Sequence, residues 1–484
     1  MEHKKYSNLN QHYIAGKWLE GHSDKIIKNS NPYNQELIFE LKAASTEDVD
    51  CAYQAASDSF TTWSVTSPAE RKNLTLKVAE IIQARREEII DWLIQESGST
   101  RLKANLEVDA TLNIIQEAAT FPHRVMDSKL KSQDPERRSW VYRQALGVIA
   151  VISPWNFPLH LSMRSVAAAI ALGNTVVLKP ATDTPVTGGI LLAKIFEEAG
   201  IPAGVLNVVA GSGSEIGDYF VEHKVPKLIS FTGSTQVGQR VGQLAVGGKY
   251  LKRIALELGG NAPLVILDDA DLDLAVELTV MGRFLHQGQI CMSTNRVIVD
   301  ASIYQAYVDK LVKRTQSIVV GDPNKADTLI GPIINQAQVE KIKKIIQQAE
   351  QDGAKLIVQS EIKGSVVPPH IFVDVDPNSS LSKDESFGPV LPIIQAKDEA
   401  HALQLANDTH FGLSSAVCTA DYERGVAFAL KIDAGMTHIN AITVVDQANA
   451  PFGGEKNSGL GRFNGQWILE EFTRTHWITV PKDQ

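Results

Sequence analysis

Cysteine is scarce in this chain of 484 residues: Cys51, Cys291 and Cys418 lie far apart, and none belongs to a CxxC pair. Such spacing excludes a disulfide framework and a cysteine-rich zinc site, and no other metal site is expected. It suits a reducing, cytoplasmic compartment in which a lone thiol stays free. An excess of basic residues is also missing. The 47 Lys and Arg are outnumbered by 56 Asp and Glu, giving a net charge of −9. That balance argues against nucleic acid or an acidic membrane surface as a partner. Long apolar runs are absent too, since residues 145–152 and 166–172 fall far short of the roughly 20 needed to span a bilayer. The opening MEHKKYSNLNQ has no apolar stretch behind its basic residues, so it does not read as a secretory signal. There is no internal repeat of 20 to 50 residues and no low-complexity tail.

What is present is the composition of a soluble globular protein, 44% apolar and 21% charged with 34 glycines, long enough for two or three domains. Thr46-Glu47-Asp48 opens one helix, in which Cys51 reads as a core-facing small residue. Ser67-Pro68-Ala69-Glu70 starts another with a capping serine, a first-turn proline and a glutamate placed to cap back. Helical spacing continues through IIDWLIQE to about Gly98. From Gly147 the texture changes to short β-branched runs (GVIAVISPWNFP, NTVVLKPA, GVLNVVAG, KLISFTGST) separated by helical stretches such as VTGGILLAKIFEEAG. This is the alternation of a parallel α/β sheet, whose ligands belong at the carboxyl ends of the strands. A second α/β block runs from about Asn261 to Asn440, with QAQVEKIKKIIQQAEQ as one of its helices. SWVYRQ (139–144) and THWITV (475–480) read as strands outside both blocks, equally able to pair with another subunit or to close their own domain.

Chemistry concentrates in a few places. Cys291 sits in HQGQICMSTNR, whose polar, glycine-marked texture is a poor recipe for core packing, although buried packing is the commoner role of a lone cysteine. Glu257, ending RIALEL before two glycines, could be a general base in a cleft or a solvated strand-end residue. Asn156 in SPWNFP is held between prolines and aromatics. It could donate to an oxyanion, or serve as an ordinary turn residue. FTGSTQVG (231–238), with Gly233, Ser234 and Gly238, ends a strand and opens a helix able to hold a pyrophosphate, but it lacks the GxGxxG fingerprint. Lys179 ends another strand, within reach of a nucleotide if it is not simply a surface lysine.

Taken in order, PWNFP, LKPA, FTGST, LELGGN, GQICMSTNR, ESFGPV and PFGGEKNSGLGR closely resemble the aldehyde dehydrogenase superfamily over essentially the whole chain, with Cys291 following Glu257 by 34 residues. The resemblance implies a Rossmann-type, parallel-sheet NAD(P) domain at 1–125 and 147–258 and an α/β catalytic domain at 259–456. Residues 126–146 and 457–484 would form a small β oligomerisation arm and bridge, making a homodimer or tetramer. It assigns Cys291 as nucleophile, Glu257 as base, and Asn156 with the Cys291 backbone N–H as oxyanion hole. Trp155, Lys179, Thr182, Gly211, Phe231, Gly233, Ser234, Gly238, Leu258, Glu385 and Phe387 would meet the cofactor. Phe157, Leu161, Ile290 and Met292 would line an apolar entrance for the aldehyde.

Two departures from the family pattern stand out. Thr182 replaces the glutamate that many NAD-preferring members carry three residues after the lysine, which predicts use of both NAD and NADP. Phe463 replaces an acid that follows the arginine of SGxGR in many relatives, so no proton relay passes through it. PLHLSMRS and INAITVVDQANAPFGG look most like the benzaldehyde and vanillin branch, and Arg164 is an unusual charge there, expected to pair with an acid rather than with substrate. The alternatives are a broad aliphatic or semialdehyde dehydrogenase, or a non-catalytic protein on the same scaffold.

Overall fold

In the computed structural model, which describes residues 4–482, the short β-branched runs assemble into two large sheets. The first has eight strands. Its five central strands, in the order Leu206–Val208, Thr175–Lys179, Val148–Ile152, Leu228–Thr232 and Arg253–Glu257, are all parallel. Thr175–Lys179 and Leu228–Thr232 are buried at every position. That is why they read as continuous apolar runs rather than alternating ones: helices cover both faces. Chain order runs outward in both directions from Val148–Ile152. The crevice between its carboxyl end and that of Leu228–Thr232 is therefore a topological switch point, where α/β sheets bind ligands.

The second sheet has seven strands, with Ala262–Ile266 and Thr294–Asp300 paired in parallel near its middle. The helix expected from QAQVEKIKKIIQQAEQ is present as Gln336–Gln351. A third sheet joins Thr473–Pro481, Arg137–Ala145 and Ser128–Leu130, all antiparallel. SWVYRQ and THWITV thus pair with each other within the chain. Gly459–Leu460, within the anticipated bridging segment, adds an antiparallel edge strand to the first sheet beside Leu256 and Glu257.

Ser67 and Glu70 form the expected capping box, but the helical stretch to Gly98 is two helices, Pro68–Ala84 and Arg86–Ser97. They are broken at Arg85 (φ −105°, ψ 17°), whose guanidinium is held by Glu88 and Glu198. The expectation for Cys51 fails. Thr46–Trp63 buries Val49, Ala52, Tyr53 and Ala56, and Cys51 lies off that stripe, exposed. One residue's displacement turns a helical side chain by about 100°, which is enough to change faces.

Candidate active site

The site is built where the carboxyl ends of the first sheet meet the loop carrying Cys291. After the helix Leu272–Phe284 the chain passes through His286 (φ 50°), Gln287 (φ 58°) and Gly288 (φ 73°), three left-handed residues in succession. For the two non-glycine residues this backbone costs roughly 1–2 kcal/mol each, so it persists only where contacts enforce it. Gln287 Nε2 donates to the Pro332 carbonyl at 2.7 Å, and the Ile334 N–H donates to Gln289 Oε1 at 3.0 Å. At Gly288 a Cβ would stand 2.4 Å from the Gly388 carbonyl oxygen, and at Gly260 one would stand 2.2 Å from that of Cys291. Both glycines are required for the loop to close against its neighbours. The polar texture of HQGQ is thus no sign of exposure, because His286, Gln287 and Gln289 are fully buried. Cys291 itself is half-buried and lines the cleft. Burial and the nearby Glu257 and Glu385 carboxyls push its thiol well up, while Arg164 opposes them.

Glu257, the last residue of its strand, is completely buried, which rules out the solvated reading. Burial raises its carboxyl to about 7, with the Arg164 guanidinium and the Cys291 thiol holding it from going higher. Arg164 lies 3.8 Å from Glu257 and 3.8 Å from Asp446. Its guanidinium stacks 4.3 Å from the Phe452 ring centre and 4.7 Å from that of Phe463. Position 463 therefore serves a cation–π contact rather than a relay, and Arg164 pairs with acids as expected. Asp446 also takes His160 Nε2 at 2.9 Å and Asn464 Nδ2 at 2.7 Å.

Asn156 is buried and lines the same cleft. One N–H of its amide donates to the Gln289 carbonyl at 3.0 Å, which ties it to the cysteine loop and leaves the other N–H for a ligand.

The rest of the cleft and the strand end beside it have the features a dinucleotide requires. Ser234 caps the helix Thr235–Gly247, whose free N–H groups suit a pyrophosphate. Lys179 is buried, not superficial. Burial lowers its ammonium to about 8, and the hydrogen bond it makes, to the Pro180 carbonyl, is a long 3.5 Å. A buried ammonium so thinly satisfied fits ribose hydroxyls. Glu385, raised to about 7 by burial, accepts from the Gly260 N–H at 2.9 Å. Phe387 (φ 45°) meets Trp155 edge-on with ring centres 5.5 Å apart.

Trp155, Asn156, Leu161, Gly233, Ser234, Glu257, Leu258, Cys291, Glu385 and Phe387 line this one cleft. Other anticipated residues stand outside its lining, Lys179 among them. Thr182 is in a half-exposed turn beyond Lys179, and Gly211 packs on Ile216. Phe231 backs Gly233, while Gly238 packs on Leu258. Ile290 and Met292 are buried in the apolar core and are not among the residues lining the cleft. Phe157 faces Lys103 and His286. The sequence reading missed Gln338 and Lys341, which reach the cleft from Gln336–Gln351. Their only signal was polarity on an amphipathic helix. It also missed Arg283 and Asn295, which hold the loop bearing Glu385. Arg283 donates to Ser386 and the Gly388 carbonyl, and Asn295 to the Asp384 carbonyl at 2.9 Å.

The aldehyde dehydrogenase family model matches residues 18–478, and the chain belongs to that family. Within it, the chain is 54% identical to a vanillin dehydrogenase of Corynebacterium glutamicum over 98% of both chains. It is 48% identical to a benzaldehyde dehydrogenase of Bacillus subtilis over 99% of this chain and 98% of that one. A crystal structure of an NAD-dependent benzaldehyde dehydrogenase from C. glutamicum superposes with a TM-score of 0.92 at 51% identity, covering 98% of this chain and 97% of the other.

Proposed function

We propose that this chain oxidises an aromatic aldehyde of the benzaldehyde or vanillin type to its carboxylic acid, with NAD or NADP as oxidant. The observation that carries the reading is the meeting of Cys291, Glu257 and Asn156 in one cleft, in a chain about half identical to enzymes named for those aldehydes.

Cys291 is the nucleophile. Its proton passes to Glu257 as sulfur bonds to the aldehyde carbon and the carbonyl π pair moves onto oxygen. Asn156 Nδ2–H and the Cys291 backbone N–H hold that oxyanion. NAD(P), when bound near Glu385 and Phe387, supplies the acceptor for the hydride that leaves the former aldehyde carbon. A thioester then remains on Cys291. Glu257, having returned its first proton to solvent, takes one from a water molecule whose oxygen bonds to the thioester carbon. The C–S bond breaks, the acid departs, and Glu257 returns its proton to the Cys291 sulfur, which regenerates the thiol and the carboxylate. A carboxyl titrating at about 7 can give up and retake a proton near neutrality, which both steps require.

Lys179, Ser234, Gly233, Leu258 and Trp155 would hold the nucleotide. Thr182 has no charge to repel a 2′-phosphate, so both dinucleotides are accepted. Leu161, with Phe157 behind it, would present an apolar wall to a flat aromatic ring. We further infer a cytoplasmic homo-oligomer joined through the three-stranded arm.

Rates followed at 340 nm with benzaldehyde, vanillin, propanal and succinic semialdehyde test the substrate. The aromatic pair should give the higher kcat/KM, and a preference for propanal would end the aromatic assignment. NADP should support at least a hundredth of the rate seen with NAD. Cys291→Ala should abolish turnover while nucleotide binding persists; residual full activity would remove Cys291 from its role.

A further inference from the structure

Asn156 is held from behind by a buried ion pair that lies outside the cleft. The helix Pro158–Ala171 begins directly after the PWNF turn, and its N-cap position is Phe157, whose side chain cannot accept a hydrogen bond. A buried helix N-terminus leaves N–H groups that must find acceptors elsewhere. Glu107, from the helix Arg101–Ala118, provides one: its Oε1 accepts from the Leu159 N–H at 2.9 Å and the His160 N–H at 3.2 Å.

Glu107 is fully buried, and so is its counterion Lys103, one helical turn earlier. The Lys103 ammonium donates to Glu107, to Ser99 Oγ at 3.0 Å, and to the backbone carbonyl of Asn156 at 2.7 Å. All three of its N–H bonds are thereby used. The same ammonium sits 4.1 Å from the centre of the Phe157 ring. The pair therefore grips the PWNF turn at two points, the carbonyl of Asn156 itself and the first turn of the helix that follows. A cap alone would not require this. A serine at position 157 would satisfy the helix, whereas an ion pair completely removed from water carries a desolvation penalty of several kcal/mol per ion before pairing.

We propose that Lys103 and Glu107 are positioning residues for the oxyanion donor: they fix the backbone of Asn156 so that its free amide N–H points at the carbonyl oxygen of the substrate. The proposal rests on the reading of Asn156 given above.

The paired substitution Lys103→Met with Glu107→Gln tests it, since it keeps side-chain volume, leaves no unpaired charge, and retains an amide oxygen to accept from Leu159 and His160. The Tm should stay close to that of the parent. In contrast, kcat with benzaldehyde should fall about 10- to 100-fold, approaching the cost of deleting an oxyanion donor, with the Kd for NAD unchanged. The decisive readout is the same pair in an Asn156→Ala background, where a positioning role predicts a further loss of less than threefold. An undiminished loss there, or full kcat in the paired variant, would overturn the proposal. A harmless Asn156→Ala would overturn the role of Asn156 as donor and this inference with it. Should the paired variant fail to fold, Lys103→Arg, which keeps the pair charged but moves the donor off the Asn156 carbonyl, carries the same cycle.

Discussion

A buried carboxylic acid keeps its proton to higher pH than one at the surface, and Glu257 is fully buried beside Arg164 and Cys291. Its carboxyl stands at about 7. A base works only when ionised, so kcat/KM should rise as pH increases through about 7 and level off above it. Glu257→Gln should remove that limb and lower turnover by at least about 100-fold. The Arg164 charge lowers the Glu257 pKa, so in Arg164→Met the limb should move to higher pH. A pH–rate profile of the three proteins decides it, and a limb that stays in place in Arg164→Met would show that Arg164 does not act on the base. The identities of Cys291, Glu257 and Asn156 were legible because each sits in a motif of its own. The setting of Arg164 was not. Its partners Asp446, Phe452 and Phe463 come from a distant part of the chain, and only the folded chain brings them to its side. Cys51 was misread because a neighbouring alanine–tyrosine stripe does not say on which side of it a given residue falls.

At the level of elements, periodicity did well where helices and strands carry an unbroken pattern, as in Gln336–Gln351 and Thr175–Lys179. It could not anticipate the break at Arg85 or the turn at His286 to Gly288, since both are imposed by tertiary partners rather than by local preference. The polar composition of HQGQICMSTNR pointed to the right residue for the wrong reason: its amides face buried carbonyls, not water. That turn makes a specific demand on Gly288. In Gly288→Ala the new Cβ would stand 2.4 Å from the Gly388 carbonyl oxygen on a backbone at φ 73°, and the conformational penalty alone is about 1–2 kcal/mol. A fall in Tm of several degrees is expected. So is a loss in kcat larger than any rise in KM, because the displaced group is the nucleophile and not the aldehyde-facing wall. Calorimetry with steady-state kinetics would test this, and an unchanged Tm would mean the turn relaxes freely.

For the whole molecule, the two large sheets account for the site, and the third sheet has no part in it. Its strand Thr473–Pro481 pairs on one edge with Arg137–Ala145 and has no strand on the other among the described residues. Leu130, Trp477 and Ile478 are 51%, 66% and 37% exposed. Three strands with apolar side chains in water and an open edge are a marginal structure alone and an invitation to pair. A second copy of the same chain presents the same edge, and closed pairing of identical surfaces is the commonest way such a patch is covered. The sequence left open whether these strands pair with each other or with a neighbour. The fold gives the first, and the open edge carries the proposal of the second as well. Trp477→Asp places a charge at the centre of the patch, more than half exposed in the single chain, so it should leave the Tm of the isolated subunit nearly unchanged. If copies pair here, light scattering at micromolar concentration should show the parent as a dimer or tetramer and the variant shifted to smaller species. A parent protein that is already monomeric, or a variant with the parent's mass, would place any subunit contact on another face.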